Sequence, residues 1–443
     1  MRPVHLPPLE KRTLPNGLRL FAAARSELPL VSLLLVIESG SAVDPMGKKG
    51  LASLASDLLL RGSGTGAPGE VSRRIEDVGG RIETGVDRDR LVVSAHVLAE
   101  DLELAFELVA EVAMAPRFEA GETEAARKRV VAELEQSKDD PALLARRNLF
   151  PTFLPPEHPY AAPVPGWRRT VQGIGREDLV AFHRAHLAPE RAFLVVVGDA
   201  RAEEVFTLAE RHFGGWTGEA APGPTIPPPG LERPRIRLIH KEESTQTQVR
   251  MIGPAPIDRE DPLFFPALVA NTAFGGGFTS RLVNEIRVNR GLTYSVGTSL
   301  SLLRAAGFFS FSSFTKNESV GELLSLLLQE CRRAREEGFS PEEIERARRY
   351  LAGVYPLGLE TNDQVAAAIA ELVLFDLGED WVPRFRERVM AVEAAPAREA
   401  ARRLFFPAPF GLVLVGDRDA ILRGLEQAGI EGDLEDLSID EAA

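Results

Sequence analysis

Cysteine is nearly missing from this chain: Cys331 is the single one in 443 residues, so no disulfide framework exists and the redox compartment is left open. Long apolar runs are missing too, since stretches such as Val31 to Ile37 fall far short of the roughly 20 residues that span a bilayer. Basic charge is in deficit. Lys and Arg number 52 against 65 Asp and Glu, a formal charge of −13. Phosphate backbones and anionic membrane surfaces attract basic footprints, so neither nucleic acid nor membrane is expected as the main partner. The opening MRPVHLPPLEKRTLPNG is polar and proline-rich, without the order of a secretion signal. A cytoplasmic chain is expected, or a periplasmic one if a signal has been trimmed.

Familiar catalytic signatures are equally scarce. Seven histidines (His5, His96, His158, His183, His186, His212 and His240) form neither HExxH nor HxxEH. His183 and His186 stand at i, i+3 and could in principle hold a metal with a distant carboxylate. The plainer reading is a polar helix end ahead of the Leu187-Ala188-Pro189 break. No G-x-S-x-G elbow occurs, which leaves a serine hydrolase without support. The run Gly275-Gly276-Gly277 lacks the lysine and spacing of a P-loop. Such glycines suit a flexible turn, or a backbone lying open beside a peptide.

What is present is a duplication. The stretch from Thr217 to Arg233, TGEAAPGPTIPPPGLER, has no hydrophobic period and reads as a linker near the midpoint. FLVVVGD at 193–199 returns as GLVLVGD at 411–417, a displacement of 218 residues (417 − 199) that also carries Leu18-Arg19-Leu20 onto Ile236-Arg237-Leu238. FEAGETEAARK at 118–128 returns as FSPEEIERARR at 339–349, displaced by 221. In the second copy Ser340 is the expected N-cap, Pro341 the first helical residue and Glu343 the capping-box partner. Strand-length runs stand at Val31 to Glu38 and Leu91 to Val97, and helical periods follow at Leu102 to Met114, Thr123 to Ser137 and Arg176 to His186. The fold class is therefore α+β: two duplicated domains, 1–216 and 234–443, joined by the linker 217–233, each a mostly antiparallel sheet with helices packed on one face. A cleft between two such domains is the natural site.

Two constellations could carry chemistry. In GLASLASDLLLRG, residues 50–62, Ser53, Ser56 and Asp57 fall at i, i+3 and i+4 and share one helix face, as metal ligands or as a wet side. In SRLVNEIRVNR, residues 280–290, a helix ends at Gly291 as its C′ residue, with Arg287 in the last turn and Tyr294 just inside the strand that follows. A guanidinium and a phenol from such positions can donate hydrogen bonds to a peptide carbonyl or a developing oxyanion. Both are also ordinary structural choices there.

Together LPNGLRL, ESGSAVDP, GLASLASDLLLRGS, VVAELEQSKDDP, HPYAAPVPG, LVVVGD and FGGGFTSRLVNEIRVNRGLTYSV resemble the inverted-motif zinc peptidases, the pitrilysin, insulinase and mitochondrial processing peptidase family. The resemblance spans nearly the whole chain and implies duplicated α+β domains, often paired between two chains. It lays HxxEH over residues 53–57, where Ser53 and Asp57 stand for the two histidines and Ser56 for the general-base glutamate. Glu133 stands where the distant ligand is expected, and Ala126 where a supporting glutamate often occurs. Serine is a poor zinc ligand, and a site without the glutamate has no base for the metal-bound water. The Arg and Tyr of the family's second half match Arg287 and Tyr294.

The resemblance therefore implies a non-catalytic subunit of a heterodimeric zinc peptidase. It would bind unfolded peptide with Gly275, Gly276 and Gly277 nearby and supply Arg287 and Tyr294 in trans. Zinc is expected in an HxxEH-bearing paralogous partner and not in this chain; alone, the chain could form homodimers. The alternative is a catalytically silent peptide-binding or scaffold protein of the same fold, and a weaker one is a cryptic metal site at Asp57 and Glu133.

Overall fold

Up to their final aspartates, the runs FLVVVGD and GLVLVGD carry no polar side chain, which suits strands covered on both faces. The computed structural model describes residues 5–64, 66–407 and 409–442 and builds both runs, as far as Gly198 and Gly416, as strands buried along their whole length. The first sheet contains β1 (Leu9–Thr13), β2 (Arg19–Ala24), β3 (Leu30–Ile37), β4 (Arg81–Val86), β5 (Leu91–Leu98) and β6 (Ala192–Gly198) in the order β1-β2-β6-β3-β5-β4. The second contains β7 (Arg235–His240), β8 (Gln246–Pro254), β9 (Val296–Leu302), β10 (Gly307–Lys316), β11 (Gly411–Gly416) and β12 (Asp433–Leu437) in the order β12-β7-β11-β8-β10-β9.

Five strands repeat in the same spatial order, and β6 and β11 each lie parallel to the strand that opens their sheet's copy of the repeat. The sixth differs. Antiparallel β1 from the start of the chain edges the first sheet, and parallel β12 from its end edges the second. The glycine of the repeated VGD has a steric reason. A Cβ on Gly198 would lie 2.2 Å from the Leu30 carbonyl oxygen, and one on Gly416 would lie 2.6 Å from the Thr247 hydroxyl.

The helices at Leu102–Met114 and Arg176–His186 have the expected bounds, and the one expected from Thr123 runs from Ala120 to Gln136. Ser340 caps the helix Pro341–Val354 as expected: its hydroxyl accepts from Glu343 N at 3.2 Å, and Glu343 accepts from Ser340 N at 2.8 Å. Cys331 is a core residue.

Most of the described helices cover one face of each sheet, and the other face carries one long helix, joined in the second unit by the short helix Ile439–Ala442. In the first unit Ala23, Val36, Phe193, Val195 and Val197 point toward the helix Asn362–Leu374, burying Val365, Ile369 and Ala370. In the second, Ile239, Val413 and Val415 pack on Leu144 and Ala145 of the helix Pro141–Phe153, while Leu412 and Leu414 enter the main core. The period-2 alternation of β6 and β11 thus feeds two cores at once.

Those two helices are themselves repeat equivalents, 221 residues apart (362 − 141), and each belongs to the unit built mainly by the other repeat. The first compact unit is Met1–Glu133, Val164–Thr225 and Pro356–Pro383; the second is Leu134–Pro163, Ile226–Tyr355 and Arg384–Ala443. One change of unit, between Thr225 and Ile226, falls within 217–233, which forms no helix or strand.

Candidate functional site

The apolar spacing of LASLASDLL makes the helix Leu51–Leu59. Gly50, at φ 100°, lets the chain enter it, and the buried Asp44 carboxylate accepts from Gly50 N and Ala52 N at 2.8 Å each, which satisfies two of its first amide groups. Burial pushes that carboxyl up to about 7, against the pull of those amides and of Lys49.

The three polar residues of this helix do not share a wet face. Ser56 is buried and its carbonyl accepts from Thr84 Oγ1 at 2.8 Å, whereas Ser53 and Asp57 are half-buried. Asp57 borders a cleft of ≈ 740 Å³ lined by Arg61, Ser72, Glu83, Thr84 and Glu122. Its carboxylate is hydrogen-bonded to the Arg129 guanidinium, which reaches across from the helix Ala120–Gln136. Arg129 Nε also lies 3.7 Å from Glu133 Oε1, and Arg61 Nη2 lies 3.9 Å from Asp57 Oδ1. The two carboxylates therefore bracket a side-chain cation.

This donor set does not fit zinc: a hydroxyl at Ser53, a buried hydroxyl at Ser56, and two carboxylates engaged by guanidinium supply no imidazole and no free ligand trio. Among the described residues no group of three or more His, Cys, Asp and Glu side chains is gathered to hold a metal. His183 is engaged elsewhere, its Nε2 donating to the Ala113 carbonyl at 2.8 Å. Arg129 was hidden in the sequence because arginine mid-helix is ordinary; its position four residues before Glu133 was the available signal.

In the second unit, the glycine run and the helix after it are wound more loosely than expected. Residues Thr272–Gly276 and Val283–Asn289 form π-turns, a geometry frequent at functional sites. Gly275 is buried, and a Cβ there would meet Thr298 Oγ1 of β9 at 2.6 Å, so this glycine permits close packing on the strand. Gly276 is exposed and Gly277 half-buried. Gly291 ends the π-wound turn at φ 64°, with Gly291 N donating to Arg287 O at 3.2 Å and Leu292 N to Ile286 O at 3.0 Å.

Tyr294 lies two residues before β9 in the connecting loop, not inside the strand. The loop is tied down on both sides of it. Thr315 Oγ1 donates to Leu292 O at 2.7 Å, Ser313 Oγ to Ser295 O at 3.0 Å, and Ser295 N to Thr293 Oγ1 at 3.1 Å. The ring itself is 83% exposed. The Arg287 guanidinium lies 5.0 Å from the ring centre of Phe278, which is 74% exposed.

A second residue that sequence reading missed, Arg281, fixes this segment from beneath. Buried, it donates both Nε and Nη2 to the Glu343 carboxylate at 2.7 Å and Nη2 to Gly338 O at 2.8 Å. Although burial pushes the Glu343 carboxyl up, Arg281 and the Ser340 amide hold it below the usual carboxylate range. The capping-box glutamate thereby joins the helix Pro341–Val354 to the turn carrying Arg287.

Comparison with known proteins agrees with this layout. Residues 21–156 match the family model described as insulinase (peptidase family M16), and residues 173–351 match the one described as peptidase M16 inactive domain. The chain is 29% identical over 358 residues to an uncharacterized zinc protease of Mycobacterium leprae, covering 80% of this chain and 79% of that protein. It is 25% identical over 400 residues to an uncharacterized zinc protease of Streptomyces coelicolor, covering 89% and 86%. Among solved structures, a peptidase M16 inactive domain from Pseudomonas fluorescens superposes with a TM-score of 0.86 at 24% identity, covering 92% of this chain and 98% of that one. A protease from Helicobacter pylori does so with a TM-score of 0.85 at 20% identity, covering 93% and 100%. These likenesses show a shared fold.

Proposed function

Because the chain belongs to the insulinase family of peptidases, family M16, we propose that it is a non-catalytic subunit of a zinc peptidase, binding unfolded peptide beside a partner chain that carries HxxEH. The partner's zinc would supply the Lewis acid and the activated water. This chain's own share is to bind and orient: Arg287 and Tyr294 donate hydrogen bonds to a peptide carbonyl or to the oxyanion that develops from it.

The observation that carries the reading is Tyr294. A phenol 83% exposed on a loop held by three hydroxyl hydrogen bonds adds little to its own core. Large amphipathic side chains presented on rigid backbone are contact residues for another molecule. The loop leads directly into β9, which ends its sheet and leaves a row of backbone groups for an extended peptide to pair with. Exposed Gly276 lies on the neighbouring segment, its lack of a Cβ leaving room for Asn271.

A second reading, a silent scaffold of the same fold, is favoured by one contact: Arg287 stacks on Phe278, as a structural arginine also would. Mixing the purified chain with an HxxEH-bearing relative and assaying a fluorogenic peptide separates the two. The subunit reading expects no activity from this chain alone, recovery on mixing, and loss with Arg287→Ala. Recovered activity indifferent to Arg287→Ala supports the scaffold.

A further inference from the structure

The turn Pro116 to Glu119 in the first unit is held in a strained shape. Phe118 is a non-glycine residue at φ 45°, a conformation that bulky side chains avoid unless their surroundings impose it. The surroundings are strong. Arg117 N donates to Gly62 O at 3.0 Å, Gly64 N donates to Ala115 O at 2.9 Å, and the Phe118 ring is buried against His183 with ring centres 6.1 Å apart.

Around this turn lies a cleft of ≈ 560 Å³ whose charged walls are Arg117, Arg176, Arg184 and Glu119, with Met114, Pro116, Phe118 and Val180 supplying apolar surface. Arg117 pairs with Glu119 at 2.7 Å and donates to the Gly66 carbonyl, while its buried Nε has no partner. Arg176 donates Nε to Phe118 O at 2.8 Å and Nη2 to Arg117 O at 3.1 Å. Those acceptors are neutral carbonyls, so they fix the guanidinium without cancelling its charge. Arg184 is exposed and makes no ion pair among the described residues. Burial pushes His183 below its ordinary range, and the imidazole adds no charge. Three cations against one carboxylate leave two positive charges uncompensated in a chain whose net charge is −13.

The second repeat is built differently at this point. There Arg398 donates to the carbonyls of Arg335 and Glu336, the last two residues of the helix Val320–Glu336, whereas Arg176 donates to carbonyls three and four residues past the end of Leu102–Met114. Bracing the turn accounts for Arg176, and the pair with Glu119 and the bond to Gly66 account for part of Arg117, whereas exposed Arg184 makes no such contact among the described residues.

We infer that this cleft binds a small organic phosphate: a dianion seated on Arg184, Arg176 and Arg117, its apolar body against Met114, Pro116 and Val180. Phosphate suits the site better than a carboxylate because two uncompensated charges match a dianion and guanidinium forks match its several oxygens. The proposal is independent of peptide binding by the second unit.

The test is isothermal titration of the full chain with phenyl phosphate at fixed ionic strength, with phenylacetate as the monoanionic comparison. Saturable binding at one site is expected, weakened roughly ten- to hundredfold in Arg184→Gln, as loss of one charge-assisted contact implies. Arg184→Lys should recover part of the loss, and the unliganded melting temperatures should match, since Arg184 is exposed. No saturable heat with wild type would overturn the proposal. So would equal affinity in Arg184→Gln, or phenylacetate binding as tightly as phenyl phosphate.

Discussion

At the scale of the residue, the chemistry turns on one arginine. Arg129 puts a guanidinium against Asp57 and near Glu133, where the family resemblance aligns metal ligands. Both carboxylates are partly solvated, so the pairing stabilises the helix contact by about 1 kcal/mol or less. Arg129→Gln should therefore lower the melting temperature only slightly, and zinc titration should show no stoichiometric uptake by wild type. Tight one-to-one zinc binding by wild type would refute this account of the site.

Asp44 makes the opposite kind of claim, because its environment opposes its charge. With a folded pKa of about 7 and an unfolded one of about 3.9, the carboxyl binds a proton more tightly in the native chain. Its stabilising contribution is complete below about pH 4 and is lost as pH rises through 7. Asp44→Asn cannot titrate, so its stability relative to wild type should improve between about pH 4 and pH 8. Chemical denaturation across that range measures the difference.

At the scale of the element, the helices Asn362–Leu374 and Pro141–Phe153 explain why β6 and β11 are apolar at every position. Ile369 is fully buried in the cluster with Val195 and Val197. Ile369→Ala should cost about 2–5 kcal/mol, read from urea unfolding, although the residue lies in the second half of the sequence.

The repeated strands, the capping box at Ser340 and the ends of several helices were legible because periodicity and caps are local signals. The pairing of Leu134–Pro163 with one unit and Pro356–Pro383 with the other was not, since an apolar helix face carries no address. The site divided in the same way. Arg287 and Tyr294 stood out through spacing along the chain, whereas Arg129 and Arg281 act across 72 and 62 residues and show themselves only once the helices are assembled. The π-winding at Val283–Asn289 was likewise invisible, because its hydrophobic pattern is that of an α-helix.

At the scale of the whole molecule, duplication and exchange have a consequence for folding. A fragment ending at residue 216 contains all six strands of the first sheet and lacks Pro356–Pro383, leaving Val36, Phe193, Val195 and Val197 uncovered on one face. That fragment should bind a hydrophobic dye and aggregate, and adding residues 356–383 as a peptide should reduce both. A stable, dye-silent monomer would argue against the exchange.

The family, the engagement of Asp57 by Arg129 and the exposed, braced tyrosine are the observations behind our proposal that the chain assists zinc chemistry carried by a partner. Substituting Tyr294 and measuring turnover of the complex tests this most directly. With an HxxEH-bearing partner present, Tyr294→Phe should lower kcat on a fluorogenic peptide about tenfold or more, as loss of one oxyanion donor implies, while assembly and melting temperature stay unchanged. A complex whose kcat is the same with Phe at this position would contradict the account.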